Sequence, residues 1–358
     1  MKELCIDVRM AFRAGIGTYI RNIVPPLANF FKLRLITDEE SISKWPFLNQ
    51  YDLILTSAPI YSIEEQIKFP FLVPKCDLFW TPHYNIPFSA LKSKKRVVTI
   101  HDVYHLAFAK TLKFSQRLYS KLMINRAVNI SDHIFTISQF SQDEMIKYTG
   151  CSAEKISIIP LGVDASYFSE KGSSAPVREK YQLPSNYFLF VSTLAPHKNV
   201  DRLISAWNTL LEKFPSWKLV LVGKPGKEPP KKLKDQPSLQ KSVLFLGQVD
   251  NQDLPALYRD AYATVHPSLY EGFGLSPLEA MSSGCPAIVS KAASLPEVCG
   301  DSALYVDPYD IHDIASAMEK IIQDPLLHAE LKAKGLRRSQ DFTWAQTVEK
   351  YAAIMEGL

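Results

Sequence analysis

Seven short apolar runs in the first half of this chain and six in the second, most followed by a longer helical pattern, leave few folds open to it. The seven are "LCIDV", "LRLIT", "DLILTS", "DLFWTP", "RVVTIHD", "HIFTIS" and "KISIIP"; the six are "YFLFVS", "WKLVLVG", "VLFLG", "ATVHPS", "PAIVS" and "ALYVD". Apolar runs this short, without polar alternation, read as strands buried on both faces, and their interleaving with helices predicts parallel, doubly wound sheets. The polar stretch "SEKGSSAPVREKYQLPSN" between the two series reads as a linker. The expected architecture is therefore α/β: two Rossmann-like domains, residues 1–169 and 170–340, facing a cleft beyond the carboxyl ends of their strands. The closing pattern "TWAQTVEKYAAIMEGL", within 341–358, reads as a helix that crosses back to pack on the first domain.

Length agrees with two domains: 358 residues exceed one ordinary core. The charge of +4 is mild, and no basic stripe with interleaved aromatics points to nucleic acid. Cys5, Cys76, Cys151, Cys285 and Cys299 are odd in number and scattered, so neither a disulfide framework nor a zinc site follows. A strand-like run begins almost at once, and no apolar stretch is long enough to span a bilayer. A soluble protein of a reducing cytoplasm is expected, at most peripheral on a membrane surface. That last reading rests on residues 107–128, where Lys110, Lys113, Arg117, Lys121 and Arg126 alternate with Phe, Leu, Tyr and Met, and on "KSKKR" at 92–96. A basic amphipathic helix can lie on anionic lipid, although a solvated helix face explains the same pattern.

Four stretches fall at strand ends. In "RAGIGTYIRNI", Gly15 and Gly17 open a helix, as a phosphate loop does and as a plain turn also does. In "TIHDVYH", His101 and Asp102 end a strand. In "VSTLAPHKNVDRLI", Lys198 precedes a helix whose N-terminus favours an anion. In "LYEGFGLSPLEAMSSG", two acids, Glu271 and Glu279, flank a Gly-Phe-Gly turn. Ser276, Pro277 and Glu279 read as N-cap, first helical residue and capping-box partner, with Gly284 closing the helix. That account leaves Glu271, Gly272 and Gly274 over. Glycines before a helix admit phosphate, whereas an acid among them suits sugar hydroxyls. A nucleotide sugar has both parts.

Taken together, these stretches resemble the retaining glycosyltransferases of the GT-B fold, sequence family 4 (glycosyl transferases group 1). The likeness covers almost the whole chain, through "GIGTY" at 15–19, "HD" at 101–102, "TISQFSQDE" at 136–144, "IPLGVD" at 159–164 and "TLAPHKN" at 193–199, then "LGQVDNQDLPALYRDA" at 246–261, "PSLYEGFGLSPLEAMSSGCPAIVS" at 267–290 and "SLPEVCGDSALYVDP" at 294–308. The resemblance implies Glu279 on the donor ribose and Glu271 on the donor sugar, near the backbone N–H groups of Phe273, Gly274 and Leu275. It implies Lys198 on the diphosphate, His101 over the sugar, Gly15 and Gly17 beside the diphosphate, and Thr193, His197, Val249 and Gly272 around the nucleotide. Many members carry an arginine where this chain has Thr193, and His197 stands where a mannosyltransferase-like subgroup has arginine, so a two-cation clamp is in question and Lys198 is more solitary. No DxD-type acidic pair follows a strand in a position to hold a metal. The resemblance thus implies transfer of a hexose, mannose from GDP-mannose, to a glycan or lipid-linked glycan without cofactor or metal. UDP-glucose, GDP-rhamnose or a non-catalytic nucleotide-sugar binder stay open as alternatives.

Overall fold

The computed structural model describes residues 1–168, 174–223 and 237–358. They form two compact units, Met1–Gly162 with Trp344–Leu358, and Val163–Thr343. The first carries a seven-stranded sheet: β1 (Glu3–Asp7), β2 (Lys32–Thr37), β3 (Asp52–Leu55), β4 (Leu78–Thr81), β5 (Lys95–Thr99), β6 (His133–Thr136) and β7 (Ile156–Ile158). The second carries six strands: β8 (Tyr187–Val191), β9 (Lys218–Val222), β10 (Val243–Gly247), β11 (Ala263–His266), β12 (Ala287–Ser290) and β13 (Ala303–Val306). The orders are β3-β2-β1-β4-β5-β6-β7 and β10-β9-β8-β11-β12-β13, with parallel pairing throughout. Each apolar run of the sequence supplies one strand. Central strands are buried on both faces, as Leu4, Cys5 and Ile6 of β1 show. The edge strand β3 is only partly buried, and its Asp52 pairs with Arg34 of β2 at 2.7 Å.

The strand order reverses between β1 and β4 in one sheet and between β8 and β11 in the other. At such a switch point the flanking crossovers leave on opposite faces, so the loops diverge and open a crevice beyond the strands' carboxyl ends.

Two expectations about chain organisation need correction. The crossings between units fall after Gly162 and after Thr343, not at 169/170 and 340/341. Val163 forms a parallel bridge to Thr343, and its N–H donates to the Phe342 carbonyl at 3.0 Å, so both passages are committed to the second unit's backbone. The stretch read as a linker is in part a helix, Ala175–Lys180, tied to the second unit by Arg178 on Asp260 and Lys180 on Asp250 and Asp253. Its residues 169–173 lie outside the described residues.

The helix Trp344–Gly357 packs on the first unit beside the helix Ala14–Leu27. Tyr351 is fully buried against Trp80 and Phe135, and its hydroxyl accepts from Tyr19 at 2.6 Å. Tyr19 and Trp80 both reach the Thr99 hydroxyl at the end of β5. This is a buried chain of polar groups in which the hydroxyls satisfy one another. Tyr351→Phe is expected to lower the unfolding free energy by about 1 kcal/mol, because Tyr19 keeps Thr99 as a second partner. Denaturant titration of the full chain reads the difference, and an unchanged midpoint would show that the hydroxyl contributes nothing.

Candidate active site

The second unit's switch point carries a buried polar site. The chain leaving β8 makes a short 3-10 turn, Pro196–Lys198, and passes through Asn199 in the left-handed region (φ 62°) before the helix Val200–Asn208. An asparagine tolerates that backbone better than most residues. Here the buried Asn199 amide also donates to the carbonyls of Pro267 at 2.9 Å and Pro308 at 2.7 Å. The Leu269 N–H donates to the His197 carbonyl at 2.7 Å. The loops after β8 and β11 are thereby latched together, which delivers Lys198 to Glu271. Their Nζ and Oε2 are 2.7 Å apart, and both side chains are mostly buried. Glu271 also accepts from the Ser268 hydroxyl at 2.9 Å. Burial alone would push the Glu271 carboxyl up, but the Lys198 ammonium and the Ser268 hydroxyl outweigh it and hold it below its ordinary value. His266, at the end of β11, is pushed down to about 4 by burial and is neutral at physiological pH.

The Gly-Phe-Gly loop is held from behind. The Ser294 hydroxyl donates to the carbonyls of Glu271 at 2.9 Å and Phe273 at 2.8 Å. Gly274 has φ 105°, and a Cβ there would meet Leu295 Cδ2 at 2.6 Å, so both conformation and space require glycine. The capping box expected at Ser276 does not form. The helix runs Leu275–Ser282 with Gly274 as its cap, which puts Glu279 past the first turn and beyond reach of the cap. Gly284 does follow the helix end in the left-handed region. Relieved of capping, Glu279 faces tyrosine hydroxyls: Tyr258 donates to its Oε2 at 3.3 Å, and Tyr167 also bonds it. Burial pushes the Glu279 carboxyl up to about 7, and the two tyrosines offset only part of that. Two acids eight positions apart thus differ in charge state near neutrality. Glu271 is ionised and paired, whereas Glu279 is poised.

The remaining expected residues of this unit are spread over its loops. Thr193 is exposed just past β8, His197 precedes Lys198, and Val249 is buried just past β10. Phe273 is buried with its ring edge-to-face on Phe342, while Gly272 and Leu275 flank the loop.

His101, Gly15 and Gly17 are carried by the first unit. Burial pushes the His101 imidazole down to about 4 despite the Pro82 carbonyl and Asp102. Its Nε2 donates to that carbonyl at 3.1 Å, and its ring meets Tyr19 edge-on at 4.6 Å between centroids. The ring is therefore neutral, with Nδ1 as an acceptor, and cannot serve as a general acid at neutral pH. Gly15 and Gly17 are not in a loop, as a phosphate-loop reading requires, but in the first turn of the helix Ala14–Leu27. A Cβ on Gly17 would meet the Ala11 carbonyl oxygen at 2.5 Å, so its absence serves the packing of the preceding turn. Gly15 has open space around its Cα. A cavity of 710 Å³ opens past β2 and β3, lined by Arg9, Arg13, Asp38, Glu40 and Lys44 among others. Its charged donors and acceptors match the hydrogen-bonding needs of sugar hydroxyls.

Sequence reasoning missed Asn199, Ser268, Ser294, Tyr258 and Tyr167. Only Asn199 left a trace, as the asparagine directly before an expected helix. Ser268 lies only three residues before its partner Glu271, whereas Ser294, Tyr258 and Tyr167 act on partners far along the chain.

Comparison with known proteins now decides the family. A model of glycosyltransferase family 4 matches residues 15–167, and one of glycosyl transferases group 1 matches 175–338. The O-antigen chain mannosyltransferase B of Escherichia coli is 31% identical over 77% of this chain and 74% of its own length. The chain belongs to glycosyl transferases group 1, family 4. The serotype-specific mannosyltransferase WbdA of Escherichia coli is 33% identical over 74% of the present glycosyltransferase, a match that takes up only 33% of WbdA. The fold agrees as well: a solved structure of HepE from Anabaena, in complex with UDP and glucose, superposes with a TM-score of 0.80 over 100% of both chains at 20% identity. The fold of this glycosyltransferase is GT-B.

Proposed function

We propose that this glycosyltransferase moves mannose from GDP-mannose onto a glycan or lipid-linked glycan of a surface polysaccharide of the O-antigen kind, with retention of anomeric configuration and without a divalent metal. The observation that carries the reading is the latched Lys198–Glu271 contact at the second switch point. A donor entering there meets an ammonium for its diphosphate and a carboxylate for its sugar hydroxyls. Glycosyl transfer builds negative charge on the departing diphosphate, and a fixed cation stabilises that charge as it grows. Mannose as the sugar is supported by the names of both relatives, and retention by the sequence resemblance.

Independence of metal follows the same logic. Lys198 supplies the charge a cation would bring, and among the described residues no group of three or more His, Cys, Asp or Glu is placed to hold a metal ion. Transfer is expected to proceed undiminished in EDTA; activity lost to EDTA and restored by magnesium or manganese would overturn this point. The donor is tested by thermal shift, since a bound ligand raises apparent stability by mass action. GDP and GDP-mannose are expected to raise the melting temperature more than UDP, ADP or their sugars. A preference for UDP-glucose would replace the donor, and proton NMR of the product's anomeric centre would decide the stereochemistry.

A further inference from the structure

Two basic stretches of the first unit meet at one cavity. The run at 92–96 supplies Lys94 and Arg96, and the basic helix, which runs Phe114–Ile130 rather than from residue 107, supplies Arg126. The cavity measures about 290 Å³, near the lower end for small-molecule sites, and Ser89, Ser93 and Asp132 also line it. Arg96 is the second residue of β5 and Asp132 directly precedes β6, so the cavity lies at the amino ends of these strands. His101 lies past the carboxyl end of β5, at the other end of the same sheet. None of the residues given a role in transfer lines this cavity.

The two arginines grip one loop. Arg96 donates to the carbonyls of Pro87 at 2.9 Å and Ser89 at 2.8 Å, and Arg126 donates to that of Phe88 between them at 2.7 Å. Holding that loop explains the pair only in part. A guanidinium carries five N–H groups, and Arg96 spends two of them here while Arg126 spends one. Arg126 Nε is buried and has no partner among the described residues. Among the described residues no carboxylate forms an ion pair with either side chain. Asp132 lines the same cavity, but it accepts from the Arg96 backbone N–H at 2.8 Å and from Lys95 at 3.2 Å. Lys94 is likewise spent on Asp77 at 2.7 Å. Burial pulls the Arg96 guanidinium below its ordinary value, Arg126 pulls it further, and Asp132 restores only part. Buried like charges without a counter-charge are costly, and an anion in the cavity removes that cost.

We propose that Arg96 and Arg126 form a binding site for the dianion of a phosphate monoester. Two guanidiniums offer forked donors that match phosphoryl oxygens, and their summed charge balances the dianion. The Ser89 and Ser93 hydroxyls add donors along the wall. The site is independent of the donor chemistry and would stand if the mannose assignment failed. The test is calorimetric titration of the full chain at constant ionic strength, with GDP present to occupy the Lys198 site. Inorganic phosphate and glycerol 3-phosphate are expected to bind saturably. Dimethyl phosphate, a monoanionic diester like a lipid headgroup, should bind about tenfold more weakly. Arg126→Lys keeps the charge but loses the fork, and should weaken phosphate roughly tenfold or more. Ser93→Asp brings a carboxylate to the cavity, and should abolish phosphate binding while the melting temperature in chloride stays level or rises. Two arginines that only hold a loop predict no such exchange. No saturable binding, equal binding of dimethyl phosphate, or unchanged binding by both variants would overturn the proposal. Phosphate binding that disappears once GDP is bound would also overturn it, by assigning the ion to the Lys198 site.

Discussion

Lys198→Ala is expected to lower kcat by roughly 10²–10³, the cost of losing one fixed donor at a developing anion, with a smaller rise in donor KM. The reasoning rests on when the interaction matters. In the structure Lys198 is held by Glu271 at 2.7 Å, so its position is set before any donor arrives. Charge on the diphosphate grows as the glycosidic bond breaks, so the ammonium interacts more strongly with the transition state than with the bound donor. Thr193 stands where many relatives by resemblance have arginine, which leaves no obvious substitute in the same loop. A complication has to be separated from chemistry: removing Lys198 strands the mostly buried Glu271 carboxylate, and an unpaired buried charge destabilises a protein. Lys198→Ala combined with Glu271→Met removes both charges and is expected to recover thermal stability but not kcat. Near-normal kcat in Lys198→Ala, with only KM raised, would show that the lysine binds donor and transition state equally.

The second large effect concerns Glu279. We propose that Glu279 holds the donor ribose, as the sequence resemblance implies: ribose hydroxyls donate hydrogen bonds, so the ionised carboxylate would be the binding form, and hydrogen bonds to a charged group are worth about 1.5–3 kcal/mol. The free protein holds this carboxyl at about 7, which makes binding depend on pH near neutrality. The sign follows from linkage. Nucleotide prefers the ionised form, so binding releases a proton whenever Glu279 starts protonated, and affinity falls as pH drops through 7, by up to about tenfold per unit. Above about 8 the dependence is flat, because the group is already ionised. Glu279→Gln should weaken GDP by about 1.5–3 kcal/mol at pH 8 and by much less at pH 5.5, where the parent is itself largely neutral. Taking the ratio of parent to variant cancels the titration of the nucleotide's own phosphate. Calorimetry at the two pH values reads it, and a ratio independent of pH would remove Glu279 from the ribose.

Both effects show how far the residues could be read in advance. Lys198, Glu271 and Glu279 stand out because a cation and two acids around glycine turns have few structural uses. The capping box was a misreading of one of them. A Ser-Pro-x-Glu pattern satisfies a local rule, yet the helix began earlier, at Leu275, because Gly274 could take the left-handed conformation and fit against Leu295. Gly15 and Gly17 do open a helix as expected, but glycine's freedom looks alike in sequence whether it serves a ligand or, as at Gly17, a neighbouring carbonyl.

Strand number, parallel pairing and the two-sheet division were present in the chain as periodicity, because a strand buried on both faces must be apolar at nearly every position. The order in which strands pair was not, and that order puts the loops of β8 and β11 at the switch point. What only the tertiary structure decided is the state of the side chains there. Asn199 latching Pro267 and Pro308, Ser294 holding Glu271 and Phe273, and Tyr258 and Tyr167 surrounding Glu279 all join residues far apart in the chain. Carboxyl acidity depends on such neighbours and on exclusion of water, so Glu271 and Glu279 are alike in sequence and opposite in the fold.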